Sequence, residues 1–516
     1  MKWPRIELRK AVSAFAAMAA TAVVCTGVAR ICSLLSTCSV PQHSAAWASA
    51  SASLPPGPAG ALCRNARAVD SVDRARLVAI AWERSPYAPL PIDFSGTDAW
   101  PPCLVASSFL SAADARRIAD MGYARVATNE FATAWSMVGP SPAPSPAPRV
   151  SPAREAPGVL AAAALLLGVW LWWRRSNGGM PSPGAALCAA ALFAALSAAA
   201  LSHTLIAPNG LGVYAGKAKL VMEAGGIPAG FFTSPEYEVF QPSYPPGLAL
   251  LSLLAYAVSG CCGDWLVQLL VPLAVSLLFL ELCGARGSPL AACAAMAVAL
   301  CPVAVRCASG FYAEPFAALA LAMGLRRVWR RGGASGWLVA GASGLFRHEC
   351  LILVACLWAL SRFGRASERW RCGAVATALP LLWQAFAFAV GARIYDFDFM
   401  SLPDWGRALF ALKAAFSCGA FAALALLWSV CGRAGWRVAS ASTLFLLASC
   451  LLMGFNVSPH FAWMVGATMP RVAWTAAVPL AAFAALAEDR RKALCLALRG
   501  TTNLGRGLRR GATDPQ

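Results

Sequence analysis

Apolar runs close to the ~20 residues needed to cross a bilayer recur along almost the whole chain. The first, Ala11–Ala29, follows Lys2, Arg5, Arg9 and Lys10, and reads as an uncleaved anchor or a signal-like segment. A polar, mixed stretch then runs to Pro157 and closes with the Pro/Ala/Ser text SPAPSPAPRVSPAREAP, an extended linker. Within that stretch the spacing predicts an amphipathic helix over Ser111–Trp135, with Ser111 and Asp114 placed as a capping pair. Apolar segments resume at Gly158–Trp173, Ala185–Ile206, Trp265–Leu282, Leu290–Val305 and Phe311–Leu325. Others follow at Cys372–Val390, Ala414–Val430, Val438–Phe455 and Val472–Ala487. Three more, Gly247–Tyr256, Trp337–Leu345 and Leu351–Leu360, are too short to cross alone and read as broken or re-entrant pieces.

This pattern predicts an all-α polytopic membrane protein, a bundle of about 10–12 transmembrane segments with broken helices. The expected organisation is an anchor at 1–29, an extracytoplasmic segment at 30–157, a membrane domain at 158–487 and a basic cytoplasmic tail at 488–516. Composition agrees: 59% of residues are hydrophobic and only 13% charged, against about 25% charged in a soluble domain. A soluble enzyme is excluded on that ground. The 19 Cys are scattered, and most lie in apolar text as small hydrophobes. Cys38, Cys63 and Cys103 fall in the polar segment, where two of them could pair as a disulfide. No metal-binding spacing occurs, and no metal is expected.

The formal charge of +19 suggests nucleic acid until the basic residues are sorted by loop. Arg174/Arg175, Arg326–Arg331, Arg362–Arg371, Arg433/Arg437 and the tail from Arg490 mark alternate loops as cytoplasmic. That assignment makes Trp337–Leu360 a hairpin with Arg347, His348 and Glu349 at its tip, and Gly247–Leu282 one broken crossing. Topology therefore accounts for the charge, and nucleic acid is dropped as a partner. Lys217, Lys219, Arg347 and Arg471 stand outside this map, in outer loops or within apolar text. Ionisable groups in a membrane are costly unless paired and mark functional sites.

Five pieces of text then occur in one order: VYAGKAKLV (Val213–Val221), PSYPPGLALL (Pro242–Leu251), GFYAEPFAAL (Gly310–Leu319), GASGLFRHECLIL (Gly341–Leu353) and SPHFAWMVGATMPRV (Ser458–Val472). Together they resemble the GT-C glycosyltransferases, multi-pass enzymes that take sugars from polyprenyl-phosphate carriers, including protein O-mannosyltransferases and the lipid A aminoarabinose transferase. The resemblance covers roughly Ala185 to Ala487. It implies a glycosyltransferase of the bacterial cytoplasmic membrane, with membrane lipid and a polyprenyl-phosphate-linked sugar as partners, an acceptor on the outer side, and no other cofactor.

The resemblance has a gap. The family places an Asp early in the first outer loop as the base, and Asn209 stands there in this chain. An amide oxygen has negligible basicity, so Glu236 and Glu238 become the candidate bases, with Glu223 next. Lys217, Lys219, Arg347 and Arg471 are candidates for the phosphate, and Tyr244, Glu349 and His460 (beside Trp463) for substrate binding. Glu314 reads equally as a helix-dipole partner or a site acid. Asp396, Asp398 and Asp404 lie among aromatics and read as part of the interfacial belt. The alternatives are a transporter or flippase of lipid-linked sugars or other envelope precursors, or a GT-C scaffold without turnover. No Walker, dinucleotide-binding or zinc-protease motif occurs in a credible context.

Overall fold

The computed structural model describes residues 24–32, 103–107, 116, 119, 122, 124–128, 132–136, 152–177, 179–201, 209–233, 240–262, 266–283, 289–360, 366–392, 403–416, 420–456 and 465–486 without 467 and 485. The fold is predominantly helical. Among the described residues, five helices are long and apolar enough to cross a membrane, or six if one bent pair counts as a span.

The helices begin with α1 (Pro152–Asn177) and α2 (Pro183–Leu201). α1 opens on Pro152, carries Glu155 in its first turn and ends on Arg174 and Arg175. Each of these suits its position, proline at the start and charges that complement the helix dipole. A π-helical turn, Asn209–Gly216, leads into the short α3 (Lys217–Glu223). Three prolines, Pro242, Pro245 and Pro246, then precede α4 (Gly247–Ser259), which ends at Gly260 in the left-handed conformation. A 3₁₀ turn, Leu266–Leu269, continues directly into α5 (Leu270–Cys283). Leu266–Cys283 is thus one continuous helical stretch of 18 residues, long and apolar enough to cross a membrane. Over Gly247–Leu282, expected as a single broken crossing, the chain forms a short helix followed by one of full length.

α6 (Pro289–Ala299) and α7 (Pro302–Ser309) meet at a 48° bend. The cause is Pro302, which offers no N–H and cannot continue the preceding helix. α5 is apolar around nearly its whole circumference, and α8 (Glu314–Arg331) is apolar from Pro315 to Leu325 before its arginines; both are buried along most of their length. They form the core, with α1, α2 and α6 also packed on α5. α9 (Ala334–Gly341) continues as a 3₁₀ turn, Ala342–Leu345, and the helix breaks at Phe346–His348 before α10 (Glu349–Leu360). The break falls on the RHE text. α11 (Ala366–Ala389) packs on α9. Small residues permit close approach: a Cβ on Gly341 would lie 1.8 Å from the Ala376 carbonyl oxygen of α11, and between α8 and α9 one on Gly324 would lie 2.2 Å from the Ala340 nitrogen.

One expectation changes here. The predicted crossings Ala414–Val430 and Val438–Phe455 are not separate: α12 (Trp405–Phe416) is followed by α13 (Ala420–Gly454), a single helix of 35 residues. At 1.5 Å per residue it is about 52 Å long, well beyond the hydrocarbon core. The part of it long and apolar enough to cross is Gly435–Gly454, which includes Arg437, and the helix continues without a break through Arg433. Asp404 caps α12, accepting from the Gly406 and Arg407 amides at 2.8 and 3.2 Å.

The helix predicted over Ser111–Trp135 is also corrected. β1 (Cys103–Ser107), β2 (Ala124–Thr128) and β3 (Ala132–Ser136) form an antiparallel sheet in the order β1-β3-β2. Gly122, at φ +89°, stops a helix before β2, and Val126, Thr128 and Thr133 are β-branched and favour strand. The last helical stretch, residues 468–484, carries Arg471.

Candidate functional site

Four separate pieces of chain bring charge to one place. Glu314 stands at the first turn of α8, buried to 1% exposure. Its Oε1 accepts from Arg471 Nη1 at 2.7 Å and lies 3.1 Å from Arg347 Nη1. One carboxylate oxygen therefore bridges two guanidiniums. Arg347 reaches two further partners, the hydroxyl of Tyr244 and Oε1 of Glu349. The guanidinium of Arg471 lies 4.6 Å from the centre of the Tyr312 ring, a cation–π contact.

The local sequence explains why these groups meet. The helix breaks between α9 and α10, and the break puts Arg347 and His348 in irregular backbone, with Glu349 at the first position of α10. Phe311, at φ +56°, turns the chain so that Tyr312 and Glu314 follow at the start of α8. Gln241, at φ +42°, does the same before Tyr244. A side chain with positive φ is uncommon and clusters at functional sites. The bent Gln241 backbone presents its carbonyl to Lys217 Nζ at 3.1 Å, and the Tyr244 carbonyl accepts from the same ammonium at 3.2 Å. No carboxylate is among these acceptors, and burial pushes the Lys217 amine down to about 7.

Aromatic rings hold the centre in place. Tyr244 makes edge contacts with Tyr214 at 6.0 Å and His348 at 5.1 Å. His348 Nδ1 is 2.6 Å from the Gln384 amide nitrogen, and Trp383 donates to the Ser243 carbonyl at 3.1 Å. Both partners come from α11. The charges nearly cancel: two arginines face two glutamates, and Lys217 is the additional cation beside them.

Of the residues singled out in the sequence, Lys217, Tyr244, Arg347, Glu349 and Arg471 are brought together. Lys219 is buried on the same short helix as Lys217. Asn209 opens the π-helical turn and Glu223 closes α3. Glu236, Glu238, His460 and Trp463 lie outside the described residues. The centre also contains groups the sequence did not single out, namely Tyr214, Tyr312, Trp383 and Gln384, and it gives Glu314 the central position. Glu314 carried a signal, being an acid at the head of an apolar helix. An aromatic ring in apolar text carries none that separates a site from a core.

Chemically, two arginines fixed by one oxygen are a preorganised cationic pair with further N–H donors, suited to a phosphate or carboxylate. Among the described residues, the second carboxylate oxygens of Glu314 and Glu349 take no hydrogen bond, so the same centre also offers acceptors. No family model, curated protein or solved structure matches this chain.

Proposed function

We propose that this chain is an integral-membrane glycosyltransferase of the GT-C kind, which moves a sugar from a polyprenyl-phosphate carrier to an acceptor at the outer face of the cytoplasmic membrane. The observation that carries the proposal is the meeting of Arg347 and Arg471 on Glu314, beside Tyr244 and Lys217. These are the basic residues that topology leaves unexplained. Transfer from a lipid phosphate needs fixed donors where the leaving phosphate gathers charge, in a site shielded from water. Arg347 and Arg471 are assigned that task, with Lys217 as a third cation and Glu349 and Tyr244 positioning Arg347. Glu236 and Glu238 are assigned the acceptor proton, and Asn209 marks the loop position where the family has its acid. Lys219 and His460 are assigned to donor or acceptor binding.

The orientation follows from α8. Its last turn holds Arg330 and Arg331, which the positive-inside rule puts in the cytoplasm. Glu314, at the other end of its 18 residues, then lies about 26 Å away along the axis, near the outer surface. The test is transfer of labelled sugar from a polyprenyl-phosphate donor in proteoliposomes. Wild type transfers, and Arg471→Gln loses about 100-fold or more, the usual effect of removing a donor to developing charge. Carrier that flips between leaflets with no transfer to any acceptor would replace this reading with the transporter one.

A further inference from the structure

A polar atom buried in an apolar bundle forfeits its bonds to water, and without a partner it destabilises the fold unless a bound group fills the place. Tyr214 carries such an atom. The residue is buried at 0% exposure, and among the described residues its hydroxyl makes no hydrogen bond. It lies in the π-helical turn Asn209–Gly216, which packs on α3 and α4 just before Lys217. Such turns are rare and are frequent at functional sites. Val213, Tyr214 and Ala215 are all buried, so the turn aims Tyr214 inward.

It faces the charged centre. Its ring meets that of Tyr244 edge-on at 6.0 Å, and its hydroxyl is within electrostatic reach of Glu314, Arg347 and Arg471. The two tyrosines differ in one respect: the Tyr244 hydroxyl is taken by Arg347, whereas that of Tyr214 is left over. The second carboxylate oxygens of Glu314 and Glu349 are buried too, and among the described residues they are also unbonded. A phenolic O–H and a carboxylate would pair on contact, so these atoms are held beyond hydrogen-bond distance of one another. An apolar filling would leave all three unsatisfied. An oxyanion held by Arg347 and Arg471 gives the Tyr214 O–H the acceptor it lacks.

We infer that Tyr214 is a substrate-binding residue, whose hydroxyl donates to a phosphate oxygen of the lipid carrier held by Arg347 and Arg471. The inference rests on the transferase reading for the identity of the ligand, and adds a neutral donor that sorting charges along the sequence does not reveal. A neutral phenol supplies direction without adding positive charge to a centre whose charges nearly cancel. Before the carrier arrives the hydroxyl holds nothing, so its removal separates binding from stability.

Tyr214→Phe keeps the ring and removes only the O–H. The full chain carrying it, ligand-free in detergent micelles, is expected to unfold at the wild-type temperature or above it, because a buried group without a partner has gone. Affinity for polyprenyl phosphate, read from the rise of the unfolding temperature with ligand concentration, is expected to fall about tenfold or more, the loss of one hydrogen bond to a charged group. Polyprenol, which lacks the phosphate, is expected to act equally on both forms. A lower unfolding temperature for the ligand-free variant shows that the hydroxyl supports the fold, and overturns the assignment. An equal loss with polyprenol places the effect in the tail and overturns it too. An effect on inorganic phosphate but not on polyprenyl phosphate overturns the lipid assignment in favour of a free anion. Unchanged affinity for polyprenyl phosphate, with wild type binding it, overturns the role of Tyr214 and leaves the transferase reading standing. Wild type that binds no polyprenyl phosphate removes that reading, and this inference with it.

Discussion

Replacing Glu314 with glutamine tests whether one carboxylate holds the outer centre together. The substitution keeps the shape and one acceptor oxygen but removes the charge that two guanidiniums share through Oε1, at 2.7 and 3.1 Å. Arg347 retains Glu349, whose side chain is 26% exposed, whereas Arg471, with its side chain 6% exposed, loses the Glu314 carboxylate. Removing one member of a buried ion pair costs about 3–5 kcal/mol, because the remaining charge is left in a low-dielectric site. The expected loss for Glu314→Gln lies in that range, read from reversible unfolding in mixed detergent micelles. The double variant Glu314→Gln/Arg471→Gln is expected to recover part of it, since the uncompensated charge is gone. The cycle should give a coupling of about 1–3 kcal/mol between the two positions. A single-variant loss below about 0.5 kcal/mol, the level of an ordinary surface substitution, with additive effects in the cycle, would refute the bridging role.

Tyr244→Phe removes the hydroxyl that Arg347 reaches and is expected to cost about 1.5–3 kcal/mol as a hydrogen bond to a charged group; thermal unfolding with Tyr214→Phe as a control checks it. Lys217 is held down to about 7, below the ~10.4 of an unfolded lysine, so between those values the unfolded chain binds more protons and stability rises with pH. The slope contributed by this residue is about 1.4 kcal/mol per pH unit around pH 8–9, it is flat below pH 7 where both states are protonated, and Lys217→Met is expected to abolish it in pH-dependent unfolding. Gly341→Val forces side-chain atoms onto the Ala376 carbonyl and is expected to separate α9 from α11 at a cost of about 1–3 kcal/mol or more, seen as a lower unfolding midpoint with helical circular dichroism retained. Asp404→Ala removes the α12 cap and costs about 1 kcal/mol, measurable as faster amide exchange at Gly406 and Arg407.

The site was legible where charge contradicts its surroundings. Arg347 and Arg471 sit in apolar text on the wrong side of the topology map, and the structure pairs both with Glu314. Lys217 was legible as an outer-loop cation. Its carbonyl partners were not, because they depend on the positive φ of Gln241, which no composition rule requires of a glutamine. Glu314 gave a weaker signal, since an acid at a helix start suits the dipole equally well. Hydropathy averaging divided α13 at Arg433 and Arg437, yet a helical backbone needs no break there, because arginine is a good helix former. The misread strands β2 and β3 show the same limit. In Ala-rich text, apolar positions fit a period of two as readily as one of 3.6, and the choice rested on Gly122 and the β-branched residues around it.

The most direct test of the transferase reading is a structure of the chain with a bound polyprenyl phosphate. The account predicts phosphate oxygens about 2.7–2.9 Å from guanidinium nitrogens of both Arg347 and Arg471, with the ammonium of Lys217 turned toward the same group. A phosphate bound elsewhere, with the Arg347–Glu314–Arg471 bridge unchanged beside it, would contradict the account and leave the centre a structural pin.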